Sequence, residues 1–476
     1  MNTKLIIPVS LWLLIHYQIL AQPPDVSVLI HLRGVYESNI TLLCRPEYKT
    51  FKPVAEVKSI SNGGTTLILV SKELLPSEFM LRFDYKEKEE STPYPCEKYI
   101  FINNQDLELW VNPLYCNDPD SAWFQKDERE NSGFARFSEE NSRKKEKLGL
   151  LQNFLLNYDD PASQFYLEGM KEYEQRRQAY NQWITECVQK DKETFVSTLY
   201  QFDYIPQIPW TGTEADRIRS LISHYFDHID FHNPLLIRLT DLNKWMDNYV
   251  NLYGQLSTTI ALRDSLIPEA GRTAVEKAKE GHPLVYGWMV DYFYRGFESN
   301  SITAGMKILE PYLNDPNCLT TKRMEINRRL EGMKTLLPGT QAPDIALKDT
   351  EGNPFDLYTY KTPCNYILLL FWSAGCSHCL ETIETLYPLQ QQKEIKQKIN
   401  VVAVGLDETE TDIMKWKGKI TELQGWMHLG EPQGVSSKVA KDYYVLSTPV
   451  MILLNASTKG IVAIPNTVQE LMNAIQ

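Results

Sequence analysis

The sequence predicts a multidomain chain: a β-rich, sandwich-like domain over 22–135, an α-helical domain over 136–336, and an α/β domain over 337–476. Three observations predict it. Short apolar runs between turn residues fill the first part. Apolar residues at helical spacing fill the second, and buried-strand runs alternate with helical runs in the third. The length of 476 residues suits this division, since domains average about 150 residues.

The first residues read as an export signal. Lys4 gives a positive start, and Leu5 to Ile15 form an apolar core too short to span a bilayer comfortably. Ile19-Leu20-Ala21 offers a cleavage site before Gln22. Residues 1–21 are therefore expected to be a signal peptide, with an N-terminal membrane anchor as the alternative. No later run is apolar enough to cross a membrane, so no transmembrane span is expected in the mature chain.

In the β-rich part, strands are expected at Val26 to Leu32, Ile40 to Leu43, Thr65 to Val70, Phe79 to Phe83, Tyr99 to Ile102 and Leu107 to Val111. Turn residues such as Ser61-Asn62-Gly63-Gly64 separate them. From 136 the period becomes helical. Asp160-Pro161 is an N-cap and N1 pair. Tyr166, Met170, Tyr173, Tyr180, Ile184 and Cys187 follow it on one helical face. Pro206 and Pro209 break the chain, and helices then continue to about Met333. Leu337-Pro338-Gly339 forms a natural boundary.

In the α/β part, Asn365 to Trp372 is a nearly continuous apolar run, as in a strand covered on both faces. Cys379 to about Lys398 reads as a helix and Val401 to Leu406 as a second buried strand. Asp412 to Leu423 is helical, and Val450 to Leu454 with Lys459 to Ile464 reads as a closing hairpin. No internal repeat or low-complexity tract is present.

The formal charge is −12 with no strongly basic block, which disfavours nucleic acid as a partner. The 26 Tyr and 10 Trp argue against wholesale disorder. Eight cysteines are too few for a disulfide scaffold in so long a chain. Cys96 and Cys116 flank a strand-like segment and are a candidate pair, which the sequence leaves open.

Cys376-Ser377-His378-Cys379 carries the chemistry. A Cys-x-x-Cys pair is either half of a zinc site or a redox dithiol. Zinc needs two more ligands, but no second such pair exists and His428 is the only later histidine. No metal and no cofactor are expected. The pair lies where a buried strand ends and a helix begins, and the free N–H groups there favour a thiolate. Cys376 is therefore the expected nucleophile, with a pKa below about 8.5. Cys379, one turn on, is the resolving thiol. His378 supplies a donor or charge that would tune the Cys376 sulfur.

Residues 338 to 476 resemble the thioredoxin-like TlpA/ResA family of exported bacterial thiol:disulfide oxidoreductases. The resemblance rests on Pro338-Gly339-Thr340-Gln341-Ala342-Pro343-Asp344, on Lys348 to Gly352, and on Phe371-Trp372-Ser373-Ala374-Gly375-Cys376-Ser377-His378-Cys379. Val401 to Asp407 and Tyr443 to Pro449 complete it. It implies a thioredoxin-like fold and a periplasmic location. It implies protein thiol or disulfide substrates, and an upstream redox partner. It further implies a cis Thr448–Pro449 bond against the dithiol, with Thr448 pairing to an extended substrate, and a tuning role for Trp372.

This chain departs from the pattern. Leu370 stands where thioredoxins carry a buried acid, so that proton acceptor is missing. Gly375 replaces the usual Trp beside the nucleophile, the dipeptide lacks a proline, and Glu384 stands where a proline often sits. The resemblance favours a reductase or isomerase, whereas His378 favours an oxidant.

Three further features are candidates. Cys364 is read as a third redox thiol or as a passive thiol at a strand start. His224, His228 and His232 have metal-ligand spacing only if one helix carries all three. Aromatics around Tyr286-Gly287-Trp288 and Tyr292-Phe293-Tyr294 read as core or as a groove. Two other function classes remain. A thiol peroxidase is poorly supported, because Leu369 and Ser373 occupy the Pro and Thr positions of that motif. A binding or assembly protein with an auxiliary redox domain is the other.

Overall fold

The computed structural model describes residues 26–47, 50–300 and 302–475, so the expected signal peptide lies outside the described residues. The chain forms two compact units, one ending at Leu252 and one running from Tyr253 to Gln476.

The first unit begins with strands β1 (Val26–Leu32), β2 (Glu37–Glu47), β3 (Thr50–Ser61), β4 (Thr65–Val70), β5 (Ser77–Lys86), β6 (Tyr94–Ile102), β7 (Leu107–Val111) and β8 (Ala122–Phe124). They form two four-stranded sheets, ordered β4-β1-β7-β8 and β3-β2-β5-β6. Alternate residues of each face one shared core, with Val28, Ile30 and Leu109 meeting Ile40, Leu42, Phe79 and Phe83. The region is thus sandwich-like. Strand β3 was not anticipated. It is an edge strand carrying Lys52, Pro53, Glu56 and Lys58, which discourage pairing with another chain and erase the apolar alternation. Cys96 in β6 is disulfide-bonded to Cys116 beyond β7.

Helices α1 (Glu130–Asn157), α2 (Gln164–Lys190), α3 (Ser197–Tyr200), α4 (Glu214–Ser223) and α5 (Asp241–Leu256) follow. Phe137, Tyr173, Tyr180 and Tyr200 lie in their aromatic core. Asp160-Pro161 does not start α2. Its N-cap is Ser163, whose hydroxyl accepts the Tyr166 N–H at 3.2 Å, while the Asp160 carbonyl accepts the Ser163 N–H in the turn before it. Helix α4 stops at Ser223, so His224, His228 and His232 do not share a helix face. His224 pairs with Asp227, His232 with Asp230, and the His228 ring packs at a tilt against Tyr204.

The second unit opens with α6 (Ile260–Lys279), α7 (Pro283–Ser299), α8 (Thr303–Leu313) and α9 (Arg323–Thr335). Tyr286, Phe293 and Tyr294 of α7 are buried as core. A small hairpin, β9 (Ala346–Lys348) and β10 (Pro354–Asp356), precedes β11 (Tyr366–Trp372). Then come α10 (Ser377–Gln391), α11 (Lys393–Lys398), β12 (Ile399–Gly405), α12 (Glu410–Ile420), β13 (Met427–Gly430), α13 (Lys438–Asp442), β14 (Val450–Asn455), β15 (Ile461–Ala463) and α14 (Val468–Ala474).

The main sheet runs β13-β12-β11-β14-β15. Strands β11, β12 and β13 are parallel, and β14 and β15 are antiparallel. β11 lies at its centre. Ile367, Leu369 and Phe371 enter the core on one face, and Leu368, Leu370 and Trp372 the core on the other. That double burial is why the run is continuously apolar. The short β13 was not anticipated, since four residues show no usable period. Arg328 of α9 donates to the Ala440 carbonyl at 2.9 Å, so the helices brace the segment that leads into β14.

Candidate active site

Parallel strands place their C-terminal ends at one edge, and β11 ends there at Trp372. The chain turns through Ser373-Ala374-Gly375, and Cys376 caps α10. Its backbone is extended, with φ −100° and ψ 112°, and its sulfur accepts the Cys379 N–H at 3.3 Å. The thiol thus does the work of a capping oxygen, in the positive field of the helix end. Cys376 is half-buried and Cys379 is fully buried, one turn in. Burial, followed by the Cys376 neighbour, pushes the Cys379 thiol well up; hydrogen bonds from Thr448 and the Ser373 backbone oppose this.

β14 brings the second side of the site. It runs antiparallel to β11 with Val450 opposite Phe371. The same register carries Pro449 to the level of Trp372 and Thr448 to that of Ser373. The Thr448–Pro449 bond is cis, and the Cys376 Sγ–H donates to the Thr448 carbonyl at 3.4 Å. Cys376, Cys379, Thr448 and Pro449 are therefore brought together.

The other sequence candidates are placed differently. Trp372 is fully buried beneath the turn and faces the same core as Cys379. The His378 side chain is 72% exposed, and its imidazole lies 3.4 Å from Glu381 rather than on the dithiol. Glu384 is exposed on α10. Cys364 precedes β11 and donates to the Lys396 carbonyl, so the length of the strand separates it from Cys376. His428 gives its hydrogen bond to the Leu423 carbonyl, and burial lowers its pKa. Among the described residues, no group of three or more His, Cys, Asp or Glu lies together as a metal site.

Two neighbours escaped the sequence reading. Asp407 follows β12 and is buried; its Oδ1 accepts the Ser373 hydroxyl at 2.7 Å and the Ala374 N–H at 2.8 Å. Burial raises its pKa, against these hydrogen bonds. The available signal was an acid ending a buried apolar run. Asp412, in the first turn of α12, is the close neighbour of Gly375: a Cβ at 375 would lie 3.1 Å from its carboxyl carbon, so the Asp412 side chain would have to shift to admit one.

A half-exposed thiol on a helix cap, a buried thiol one turn in, and a cis proline across a central parallel strand define a thioredoxin-like domain. A family model described as thioredoxin-like matches residues 365–461. Three solved structures illustrate the similarity. A thioredoxin-like protein from Bacteroides caccae is 20% identical over 57% of this chain and 96% of its own, with TM-score 0.39. The thioredoxin domain of a thiol-disulfide oxidoreductase from Bacteroides vulgatus is 27% identical over 29% and 96%, with TM-score 0.25. A thiol:disulfide interchange protein from Bacteroides sp. is 28% identical over 30% and 89%, with TM-score 0.25. No curated protein matches the chain.

Proposed function

We propose that this chain is an exported thiol:disulfide oxidoreductase, in which Cys376 attacks the disulfide of an envelope protein and Cys379 resolves the mixed disulfide. The observation that carries this is the meeting of Cys376 Sγ with the Thr448 carbonyl beside cis-Pro449, over a buried Cys379. An extended substrate would pair with Thr448 as an added strand, setting its disulfide in front of Cys376. The Cys96–Cys116 disulfide supports an oxidising compartment, as expected if residues 1–21 are a signal peptide. His378, turned to Glu381 and solvent, gives little reason to favour the oxidant, which supports the reductase or isomerase direction. Among the described residues no helix is long and apolar enough to cross a membrane.

Cys379→Ala in the full chain is expected to trap protein substrates as mixed disulfides through Cys376, while the native protein reduces insulin. No trapped species together with no insulin reduction sinks this reading.

One observation favours a second reading, a binding or assembly protein with an auxiliary redox domain. The outer face of sheet β4-β1-β7-β8 carries His31 stacked on Trp110, Trp110 on Trp123, and exposed Leu67 and Leu69. If that face binds partners, Trp123→Ser with Leu67→Ser loses cross-linked partner proteins without changing insulin reduction.

A further inference from the structure

The dithiol needs a proton acceptor. Cys379 must ionise before it can attack, yet its burial opposes ionisation. The residue at the usual place for a buried acid is Leu370. Asp407 comes to the same neighbourhood from the adjacent strand. Trp372 pairs with Gly405 across β11 and β12, and Asp407 lies two residues further, on the same face by the period of two. That face holds Cys379, Trp372 and Trp416.

Ser373 touches both groups. Its hydroxyl donates to Asp407 Oδ1, and its backbone reaches the Cys379 sulfur. The second carboxyl oxygen, Asp407 Oδ2, is buried with no hydrogen-bond partner among the described residues. So are the indole nitrogens Trp372 Nε1 and Trp416 Nε1. Two donors and one acceptor are thus buried and unpaired on one face of the sheet. Buried polar groups are nearly always satisfied, often by an internal water.

We propose that Asp407 exchanges a proton with Cys379 through a water held at Oδ2, replacing from β12 the acid that β11 lacks. This rests on the redox reading of the dithiol. The Cys379 thiol gives its proton to the Asp407 carboxylate. The Cys379 sulfur then attacks Cys376 of the mixed disulfide. The Cys379–Cys376 bond forms, the Cys376–substrate bond breaks, and the leaving thiolate takes the proton that Asp407 releases to solvent. Two electrons pass from the dithiol to the substrate disulfide. Asp407 acts through water and through Ser373, so it is a positioning and proton-exchanging residue. The groups that bear on its titration are Ser373, Ala374 and Gly375 from the turn before α10, and Asp412 with its partner Lys415 from α12. Burial raises the Asp407 pKa above its ordinary value, the direction that suits proton exchange with a thiol.

The test uses the full chain with Cys44, Cys187 and Cys364 replaced by Ser, and 5,5′-dithiobis(2-nitrobenzoate) as the probe. Attack by Cys376 releases a first thionitrobenzoate, and resolution by Cys379 releases a second. Asp407→Asn keeps an acceptor for Ser373 and Ala374 but cannot take the proton. It is expected to leave the first phase within about threefold and to slow the second about 100-fold or more near neutral pH. The second phase should also lose its acid-side inflection and become first order in hydroxide. A second phase whose pH profile matches that of the native residue overturns the inference alone. Absence of any second phase with Asp407 present overturns the redox reading as well. If Asp407→Asn does not fold, a carboxyl-carbon NMR titration of Asp407 decides. Its midpoint is expected to differ between the reduced and oxidised chain, and identical midpoints overturn the inference.

Discussion

Gly405→Ala is expected to disturb the floor of the dithiol. Gly405 lies between Trp372 and Gly430 in the sheet, and the Trp416 indole rests on it. A Cβ at 405 would stand 2.2 Å from Trp416 Nε1, 2.7 Å from Cε2 and 2.8 Å from Cδ1. Heavy atoms of this kind pack at about 3.5–4.0 Å, so the ring must move by roughly 1 Å or more. Trp416 is buried. Overpacking of this kind costs about 1–3 kcal/mol. At Gly430 the nearest atom would be Cη2 at 3.1 Å, so Gly430→Ala is expected to cost less. The assay is hydrogen exchange of β11 and β12 amides in the full chain. At about 1.4 kcal/mol per tenfold, protection should fall roughly 5- to 150-fold. The control is Trp416→Ala, which removes the clashing ring. In that background Gly405→Ala should be nearly silent, a coupling of about 1–3 kcal/mol. Undiminished protection in Gly405→Ala, or an equal loss with and without Trp416, refutes the reasoning.

Two further outcomes are expected. The Cys96–Cys116 bond closes a loop with a sequence separation of 20, so replacing both residues with Ala should cost the first unit about 3 kcal/mol in denaturant unfolding; unchanged unfolding of that unit contradicts this. Burial lowers the His428 pKa from its model-peptide value of 6.5. The unfolded chain therefore binds the proton first as pH falls, and stability rises with pH across the window between the lowered value and 6.5. His428→Gln should flatten that acid limb, and an unaltered limb contradicts the assignment.

The legible parts of the chain were those set by local pattern. The double burial of β11 shows in six consecutive apolar residues, and the dithiol follows at the strand end, so strand, turn and nucleophile could be read together. The strands β1, β4 and β7 were bounded by their alternation for the same reason. What could not be read depends on register or on distant partners. Edge strand β3 is polar because it must not pair further, so its pattern resembles a loop. Asp407 gains meaning only when β12 is laid beside β11 and Ser373 is found over it. Gly375 departs from the usual Trp, and its close neighbour Asp412 comes from a helix many residues later, which no local pattern shows. The three histidines from His224 failed as a cluster because spacing assumes a helix, and α4 ends at Ser223.

The central claim is that Cys376 and Cys379 form one two-electron couple. Equilibrating the full chain with dithiothreitol redox buffers, and mapping its disulfides by mass spectrometry, tests it most directly. The expected result is a single transition in which a Cys376–Cys379 bond forms and disappears with a two-electron slope, while Cys364 remains a free thiol throughout. Both thiols staying free under oxidising buffers, or Cys376 pairing with Cys364, would contradict it.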